Sequence, residues 1–318
     1  MLRVVTFCLI SLGVMLCTST PVYAAKACTV TVGKINFGNV NVLPGTAVTV
    51  TGSMVLSCSG FPNNEKDRFC LNIGSGAGFT GAQRQMISGV NKLNYDLYKD
   101  STHSSLWGSW QTGFDTAGLQ TDITASGSSV NTSIPIYAEL FPSQQTAATG
   151  SYSSAFPNST SGVYITYGPQ GPASCPTGPG TAQTGFSALA TVVATCNVSA
   201  TTLNFGTSSF LASNINATST VSVQCTNATP YNVGLNAGTT AGGTTTTRLM
   251  ANGSTTVSYR MYQDSGHTTN WGNTVGTDTE SGTGTGNQGT LTVYGQVPTQ
   301  TSPAPATYTD SIIVTVTY

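Results

Sequence analysis

Cys28-Thr29-Val30 is followed by Ile35-Asn36-Phe37-Gly38 and then by Cys58, and the same series occurs a second time in the chain. The second occurrence is Cys196-Asn197-Val198, Leu203-Asn204-Phe205-Gly206 and Cys225. A further shared series, Tyr95-Asp96-Leu97-Tyr98 with Trp107-Gly108, returns as Tyr259-Arg260-Met261-Tyr262 with Trp271-Gly272. A repeat of this length indicates a duplicated domain rather than a short solenoid unit. What the two copies share is expected to be scaffold, and what differs between them is where function is expected.

The composition narrows the classes of protein to which the chain can belong. The chain has 318 residues, of which 7% are charged, and its formal net charge is -1. Two domains of ordinary size fit this length. A chain with so little charge has no basic surface for nucleic acid, so we expect no nucleic-acid partner.

The N-terminus predicts export. Arg3 precedes an apolar run from Val4 to Leu16, and Val22-Tyr23-Ala24 provides small residues for cleavage after Ala24. The run is too short for a membrane anchor, so residues 1–24 are interpreted as a signal peptide.

Six cysteines remain after Cys8 and Cys17 of the signal peptide are set aside, and an even number in an exported chain favours disulfides. The repeat makes Cys28–Cys58 and Cys196–Cys225 equivalent pairs, which leaves Cys70 with Cys175. A metal site is the alternative, but no pair of these cysteines has CxxC spacing and histidine is scarce.

Alternating apolar residues predict strands. Val48, Val50, Met54, Leu56 and Cys58 share one parity, with small polar residues between most of them. Short strands punctuated by Gly, Asn and Pro are typical of a β-sandwich. Tyr152 and Tyr308 precede the last strand of each copy, where a tyrosine often binds nearby backbone.

Taken together, these motifs make each copy resemble a spore coat protein U domain, the pilin-like domain of archaic chaperone–usher pili (the Csu type). The resemblance covers Cys28 to Tyr318 and implies an all-β fold of two tandem immunoglobulin-like sandwiches. It implies that each sandwich lacks its seventh strand, which a neighbouring subunit normally supplies. Only residues 25–27 would precede Cys28 after cleavage, which is too short for a donor strand, so we expect this subunit at the end of a fibre.

The apolar segment 185–194 lies where the second copy would carry its donor strand. We predict that it instead completes the first copy in cis, rather than serving as a plain linker. The predicted domains are therefore an adhesin domain over residues 25–194 and a pilin domain over residues 195–318, whose groove stays open. The residues predicted to form the cis strand are Phe186, Ala188, Leu189, Ala190 and Val192.

The resemblance also implies partners for the second domain. Its last strand, with Ile312, Val314, Val316 and Tyr318, would contact a periplasmic chaperone and later the donor strand of the next pilin subunit. An outer-membrane usher and an abiotic or host target surface complete the implied partners. The expected location is the tip of a fimbrium at the cell surface, reached through the periplasm.

Strand alternation places three connections of the first copy at the end away from the second copy. These are Ser59–Arg68, Gln111–Asn131 and Gly168–Thr184, which are longer or more apolar than their counterparts. Apolar residues exposed there would form a contact surface for adhesion and biofilm formation. The candidate adhesive residues are Phe61, Pro62, Phe114, Ala117, Leu119, Pro172 and Ala173.

No set of catalytic residues stands out, so we expect neither an enzyme nor a cofactor. His103 and His267 occupy equivalent positions, as do Asp100 and Asp264, and a structural role in turns is favoured for all four. Asp278 and Glu280 could contact Ca²⁺, but no further ligands complete a metal site. Two alternatives remain open: a structural spore-coat or matrix protein without an adhesive role, and a lectin-like tip module that binds a sugar.

Overall fold

A computed structural model describes residues 24–79, 81, 83–110, 117–170, 175 and 180–318, together with the backbone of residues 3–8 and 17–22. The described residues form strands and connecting loops, with no helix able to span a membrane among them. The predicted all-β fold is therefore confirmed. Within the predicted signal peptide, β1 (Arg3–Cys8) pairs antiparallel with β2 (Cys17–Val22), and residues 1, 2, 9–16 and 23 lie outside the described residues.

The chain divides into two compact units. Unit 1 comprises Met1–Val40, Thr46–Pro142 and Ser151–Thr191, and unit 2 comprises Asn41–Gly45, Ser143–Gly150 and Val192–Tyr318. Besides the β1–β2 pair, which falls in unit 1, each unit contains two sheets, as the two sequence copies predict.

Unit 1 has an eight-stranded sheet in the order β3-β5-β10-β8-β7-β11-β14-β4 and a four-stranded sheet in the order β13-β12-β6-β9. Its strands are β3 (Ala27–Val32), β4 (Ile35–Val40), β5 (Val48–Ser59), β6 (Lys66–Ile73), β7 (Arg84–Ser88), β8 (Asn91–Tyr98), β9 (Leu119–Thr124), β10 (Ser129–Leu140), β11 (Gly150–Phe156), β12 (Val163–Pro169), β13 (Gly180–Thr184) and β14 (Phe186–Val192).

The core of unit 1 follows the predicted alternation. In β5, Met54, Leu56 and Cys58 are buried while the residues between them are exposed. The paired strand β10 runs antiparallel to β5 over its whole length, from Ser129 opposite Ser59 to Leu140 opposite Val48. Period-two burial thus places one face of each strand in the core.

Unit 2 has a five-stranded sheet in the order β15-β16-β21-β19-β18 and a three-stranded sheet in the order β20-β17-β22. Its strands are β15 (Cys196–Ala200), β16 (Ile215–Cys225), β17 (Pro230–Leu235), β18 (Arg248–Asn252), β19 (Thr255–Tyr262), β20 (Glu280–Thr283), β21 (Gly289–Val297) and β22 (Val314–Thr317).

Disulfide bonds join Cys28 to Cys58, Cys70 to Cys175 and Cys196 to Cys225. The first and third close equivalent strand pairs, β3 with β5 and β15 with β16. The second belongs to unit 1 alone, because the second copy has no counterpart of either cysteine.

A turn built on an aspartate occurs in both units. Asp100 accepts hydrogen bonds from the backbone amides of Thr102, Ser104 and Ser105, at 3.1, 3.1 and 2.8 Å. Asp264 accepts equivalent bonds from the amides of Thr268 and Thr269. Because these bonds favour the charged form, the backbone amide of Thr269 and then that of Thr268 lower the pKa of Asp264 to about 2.

The two histidines lie in the same turns. His103 and His267 have positive φ angles of 54° and 57°, and their rings contact Tyr98 and Tyr262 edge-on at 5.2 Å. These contacts give the histidines a packing role within the turn.

The Asp264 turn predicts acid sensitivity of unit 2. Its folded-state pKa lies below the unfolded value of about 4, so its stabilising contribution is present above pH 4 and is lost as the pH falls towards 2. Asp264→Asn should flatten this part of the stability–pH profile, measured by thermal unfolding between pH 5 and pH 2. Glu280→Gln, which also removes one carboxylate, is the matched control. An unchanged profile for Asp264→Asn would contradict the prediction.

Candidate functional site: an open groove and a loop pole

Segment 186–192 forms strand β14 within the large sheet of unit 1, between β11 and β4. Gly185 lies against the backbone of Phe156 and Asn158, just beyond the end of β11, so β14 returns along β11 in the antiparallel direction. Phe186, Ala188, Ala190 and Val192 are all buried. The ring of Phe186 stacks on that of Phe156 with centroids 4.1 Å apart.

Leu189 differs from the other predicted cis-strand residues. It is only half-buried, because alternation along β14 directs it to the face opposite Ala188 and Ala190. Leu189 is therefore not one of the residues that fill the core of unit 1.

Unit 2 has no counterpart of β14 among its described strands, and two neighbouring segments also differ. Ile35-Asn36-Phe37-Gly38 forms part of β4, whereas the equivalent Leu203-Asn204-Phe205-Gly206 belongs to no strand. Likewise Tyr152 lies in β11, whereas Tyr308 lies outside the strands. In unit 1 both strands flank β14, so the same motif forms a strand only where a neighbour supplies backbone hydrogen bonds.

A groove of about 990 Å³ occupies this part of unit 2. Its floor includes buried Val221, Val257 and Val293, and its walls include Phe205 and Ile312. Phe205 contacts Tyr259 edge-on at 5.9 Å, as Phe37 contacts Tyr95 in unit 1 at 6.2 Å. The aromatic pair is therefore retained, but only in unit 1 does a strand of the chain lie beside it.

The final strand borders this groove. β22 pairs with β17, from Val314 opposite Leu235 to Thr317 opposite Asn232. Ile312 and Val314 line the groove, while Val316 is half-buried against the core and Tyr318 is 57% exposed. Tyr308 donates a hydrogen bond to the carbonyl of Ala304 at 2.8 Å, as expected for a tyrosine that ties a corner to nearby backbone.

Three connections meet at one end of unit 1, which we call the loop pole: residues 59–65, 125–128 and 168–170. The amide of Phe61 donates to the carbonyl of Ser128, and the amide of Asn64 donates to that of Ala125. The amide of Gly127 donates to the side chain of Asn63 at 2.9 Å. The loop pole is thus fixed by hydrogen bonds between its own loops.

Ion pairs brace the strands beneath the loop pole. Arg68 contacts Asp122 through two hydrogen bonds of 2.8 and 3.2 Å, and Gln170 donates to the same carboxylate at 2.6 Å. The hydrogen bond from Arg68 lowers the pKa of Asp122 and keeps it charged. Lys26 binds Glu65 at 2.9 Å and Asp67 at 2.6 Å.

Phe61 was predicted as an exposed adhesive residue, and this prediction is wrong. Its side chain is only 1% exposed. Its ring packs with Phe69 and Tyr167 at centroid distances of 6.2 and 6.0 Å, and the Lys26 ammonium lies over it at 4.9 Å. An aromatic residue next to a ready-made aromatic cluster is buried because burial removes apolar area from water.

The predicted positions of Ala117 and Leu119 at the loop pole are also wrong. Leu119 begins β9 opposite Leu71, while Thr124 ends it opposite Lys66 at the loop pole. Ala117 is exposed but accepts a hydrogen bond from Lys99, at the end of β9 remote from the pole. The sequence was interpreted as one long loop, whereas β9 carries the chain along the sheet.

The other candidate adhesive residues divide into two groups. Pro62 is half-buried at the loop pole. Phe114, Pro172 and Ala173 lie outside the described residues. Apart from Pro169, the exposed side chains that the structure describes at the pole are polar, among them Asn63, Asn64, Ser126, Ser128 and Gln170.

No group of three or more His, Cys, Asp or Glu side chains that could hold a metal ion occurs in the part of the chain that the structure describes. Asp278 accepts a hydrogen bond from the amide of Thr274 at 2.7 Å, and Glu280 begins β20. Asp278 thus binds the backbone of its own loop, and Glu280 belongs to a strand.

Unit 1 is a sandwich that contains β14, and unit 2 is a sandwich without a counterpart of that strand. This combination is typical of pilin-type β-sandwich proteins. The spore coat protein U domain model matches residues 15–156 and 182–315. The chain belongs to this family. No curated protein sequence matches it.

One of the solved structures that the chain resembles supports the fold. The complex of the chaperone CsuC with the tip adhesion subunit CsuE, from archaic Csu pili of Acinetobacter baumannii, is similar with a TM-score of 0.55 and 18% identity. The match covers 92% of this chain and 100% of that one. The CupB6 tip adhesin of Pseudomonas aeruginosa matches with a TM-score of 0.29 and 18% identity, over 54% of this chain and 45% of that one.

The packing of β14 predicts that Phe186→Ala destabilises unit 1. Removing a buried phenylalanine ring costs about 3–5 kcal/mol, whereas Leu189→Ala on the opposite face should cost about 1 kcal/mol or less. Urea unfolding of the disulfide-intact chain measures both variants. Equal losses for the two variants would mean that segment 186–192 is a linker rather than part of the core.

Proposed function

We propose that this chain is a subunit of a chaperone–usher pilus whose unit 2 accepts a donor strand from the next subunit. The observation that supports this most is the groove of unit 2, with its apolar floor of Val221, Val257 and Val293, at the position that β14 fills in unit 1. Exposed apolar grooves next to unpaired strand edges are sites where an added strand binds. A periplasmic chaperone would cover the same groove before assembly, and Ile312 and Val314 would contact either occupant.

We further propose that unit 1 ends the fibre. Because β14 fills the equivalent site from within the chain, unit 1 has no place for another subunit's strand. A subunit whose one domain accepts a donor strand, and whose other domain is already complete, belongs at the tip of a fibre. The second match of the family model begins at residue 182, ahead of Cys196, which supports the interpretation of 185–194 as a donor-type segment used in cis.

The loop pole is the proposed adhesive surface. It is stiffened by hydrogen bonds, by the Arg68–Asp122 pair and by the Cys70–Cys175 disulfide that unit 2 lacks. A rigid pole reduces the entropy that binding to a surface would cost. Attachment to surfaces and biofilm formation would follow from this position.

A structural coat or matrix protein is the second candidate function. The burial of Phe61 and the polar side chains at the loop pole favour it, because they remove one of the apolar contacts expected of an adhesive pole. This candidate would be supported if the chain lies at a fibre end and if substitutions at the loop pole leave surface attachment unchanged.

The donor-strand proposal predicts binding of a strand with the sequence of β14. A fluorescent peptide of residues 185–194 should bind the full chain through unit 2, because the two grooves share the same aromatic pair. Fluorescence anisotropy measures binding, and the same peptide with aspartate in place of Phe186 and Ala190 is the control. Equal binding of both peptides, or of neither, would refute the proposal.

The tip proposal predicts where the chain lies in a fibre. Immunogold microscopy with antibody against residues 26–185 should label fibre ends once and leave shafts unlabelled. Label along the shaft would mean that the chain polymerises.

The adhesive proposal predicts a specific loss of attachment. Ser126→Lys with Ser128→Lys places two charges on the exposed loop pole, and these charges must be desolvated on contact. We expect attachment of cells to plastic to fall about tenfold, or about 1.4 kcal/mol. Thr29→Lys with Thr49→Lys, on the exposed sheet face, is the control. Equal attachment of the two variants would favour the coat-protein function.

A further inference from the structure

The wall of the groove formed by residues 304–312, which we call the acceptor rim, has few backbone partners. Thr309 pairs with Ala251 in an isolated bridge, with hydrogen bonds of 2.8 and 3.1 Å. In unit 1 the equivalent segment is the continuous strand β11, which lies between β7 and β14. Something other than a strand ladder therefore stabilises the rim while the groove is empty.

Asp310 supplies other contacts for the rim. One carboxylate oxygen accepts hydrogen bonds from the amides of Thr239 and Thr240 at 3.0 and 3.1 Å, and from the hydroxyls of the same residues. The other oxygen accepts a hydrogen bond from Tyr259 at 2.8 Å. The carboxylate thus connects the rim to a loop on one side and to the groove floor on the other.

Unit 1 has no carboxylate at this position. The residue equivalent to Asp310 is Ser154, whose hydroxyl donates to the carbonyl of Ala77 at 2.9 Å. Both residues follow the repeated tyrosine by two positions. Ser154 lies in the continuous strand β11, whereas Asp310 lies in the acceptor rim, which forms no continuous strand.

A second difference concerns the buried arginine that both units contain. Arg84 donates to Asp96 at 2.7 Å and to the carbonyls of Ile73 and Trp107. Arg248 donates to the equivalent carbonyls of Leu235 and Trp271, but the position of Asp96 is occupied by Arg260, which is exposed.

Two carboxylates, Asp278 and then Asp310, act on Arg248 electrostatically in place of the lost one. Of these, Asp310 also contacts Tyr259, which pairs with Arg248 across β18 and β19. A buried guanidinium requires a nearby negative charge. The countercharge that lies on the middle strand β8 in unit 1 is therefore shared in unit 2 between Asp278 and Asp310, and only Asp310 lies on the groove wall.

We propose that Asp310 is a positioning residue that holds the acceptor rim in place for an incoming donor strand while the groove is empty. The inference rests on the proposed donor-strand function of unit 2. Holding the rim lowers the cost of ordering it when the strand binds, which raises affinity without adding contacts to the strand. Unit 1 needs no residue to hold its groove wall for an incoming strand, because β14, which fills that groove, is part of the same chain.

The test compares Asp310→Ser, which installs the residue of unit 1, with the unchanged chain. The probe is the labelled peptide of residues 185–194, and the full chain is used. Asp310→Ser should weaken peptide binding about tenfold. Ser154→Ala, a change at the equivalent position of unit 1, is the control and should leave binding unchanged.

A double variant separates positioning from simple neutralisation of Arg248. Arg260→Asp with Asp310→Ser restores the charge arrangement of unit 1, so the thermal stability of unit 2 should recover. Peptide binding should stay about tenfold weaker, because the rim is still released. Recovery of both stability and binding would overturn the inference, since Asp310 would then act only as a countercharge.

The outcomes also separate this inference from the proposed function. If the unchanged chain does not bind the peptide, the donor-strand function fails and the inference fails with it. If the unchanged chain binds and Asp310→Ser binds equally well, only the inference fails. If Asp310→Ser does not fold, Asp310→Asn replaces it, keeping the size of the side chain without its charge. Binding weakened severalfold supports the inference, and unchanged binding overturns it.

Discussion

Backbone pairing around β14 is the constraint on which the rest of the structure depends. A strand placed between β11 and β4 gives both neighbours hydrogen-bond partners and gives the core Phe186, Ala188, Ala190 and Val192. Unit 2 contains the same motifs without that strand, and its equivalents of β4 and β11 are not strands. A single segment of seven residues therefore accounts for the main difference between two domains of common origin.

The duplication also separates what is required for the fold from what is free to change. Trp107 and Trp271 are buried and donate to equivalent carbonyls, of Leu71 and Val233, both at 2.9 Å. Arg84 and Arg248 are fully buried in both units. These side chains satisfy backbone groups at the edge of the core, and their retention in both copies shows that each sandwich needs them. The negative charge that balances the arginine is not tied to one position: Asp96 supplies it for Arg84, whereas Asp278 and Asp310 share it for Arg248.

Much of the fold was predictable from the repeat, because alternation and paired cysteines are local signals. The all-β class, the two domains and the core parity of β5 all follow from them. Burial of Phe61 was not predictable, because it depends on Phe69 and Tyr167 from other strands. The existence of β9 was hidden for a similar reason: Leu119–Thr124 becomes a strand only through its pairing with β6. The role proposed for Asp310 was not predictable from any single stretch of sequence, because it depends on the structural difference between the two copies of one motif.

The short connection between β14 and β15 has a mechanical consequence. Only residues 193–195 separate Val192 from Cys196, so tension passing along the chain from unit 2 enters unit 1 at the C-terminal end of β14. Tension directed along β14 loads its hydrogen bonds together, by shear, rather than opening them one at a time. The Cys196–Cys225 disulfide then passes the load from β15 into β16 by a covalent bond. A fibre anchored through this chain would resist drag with a joint whose weakest part is a whole strand ladder.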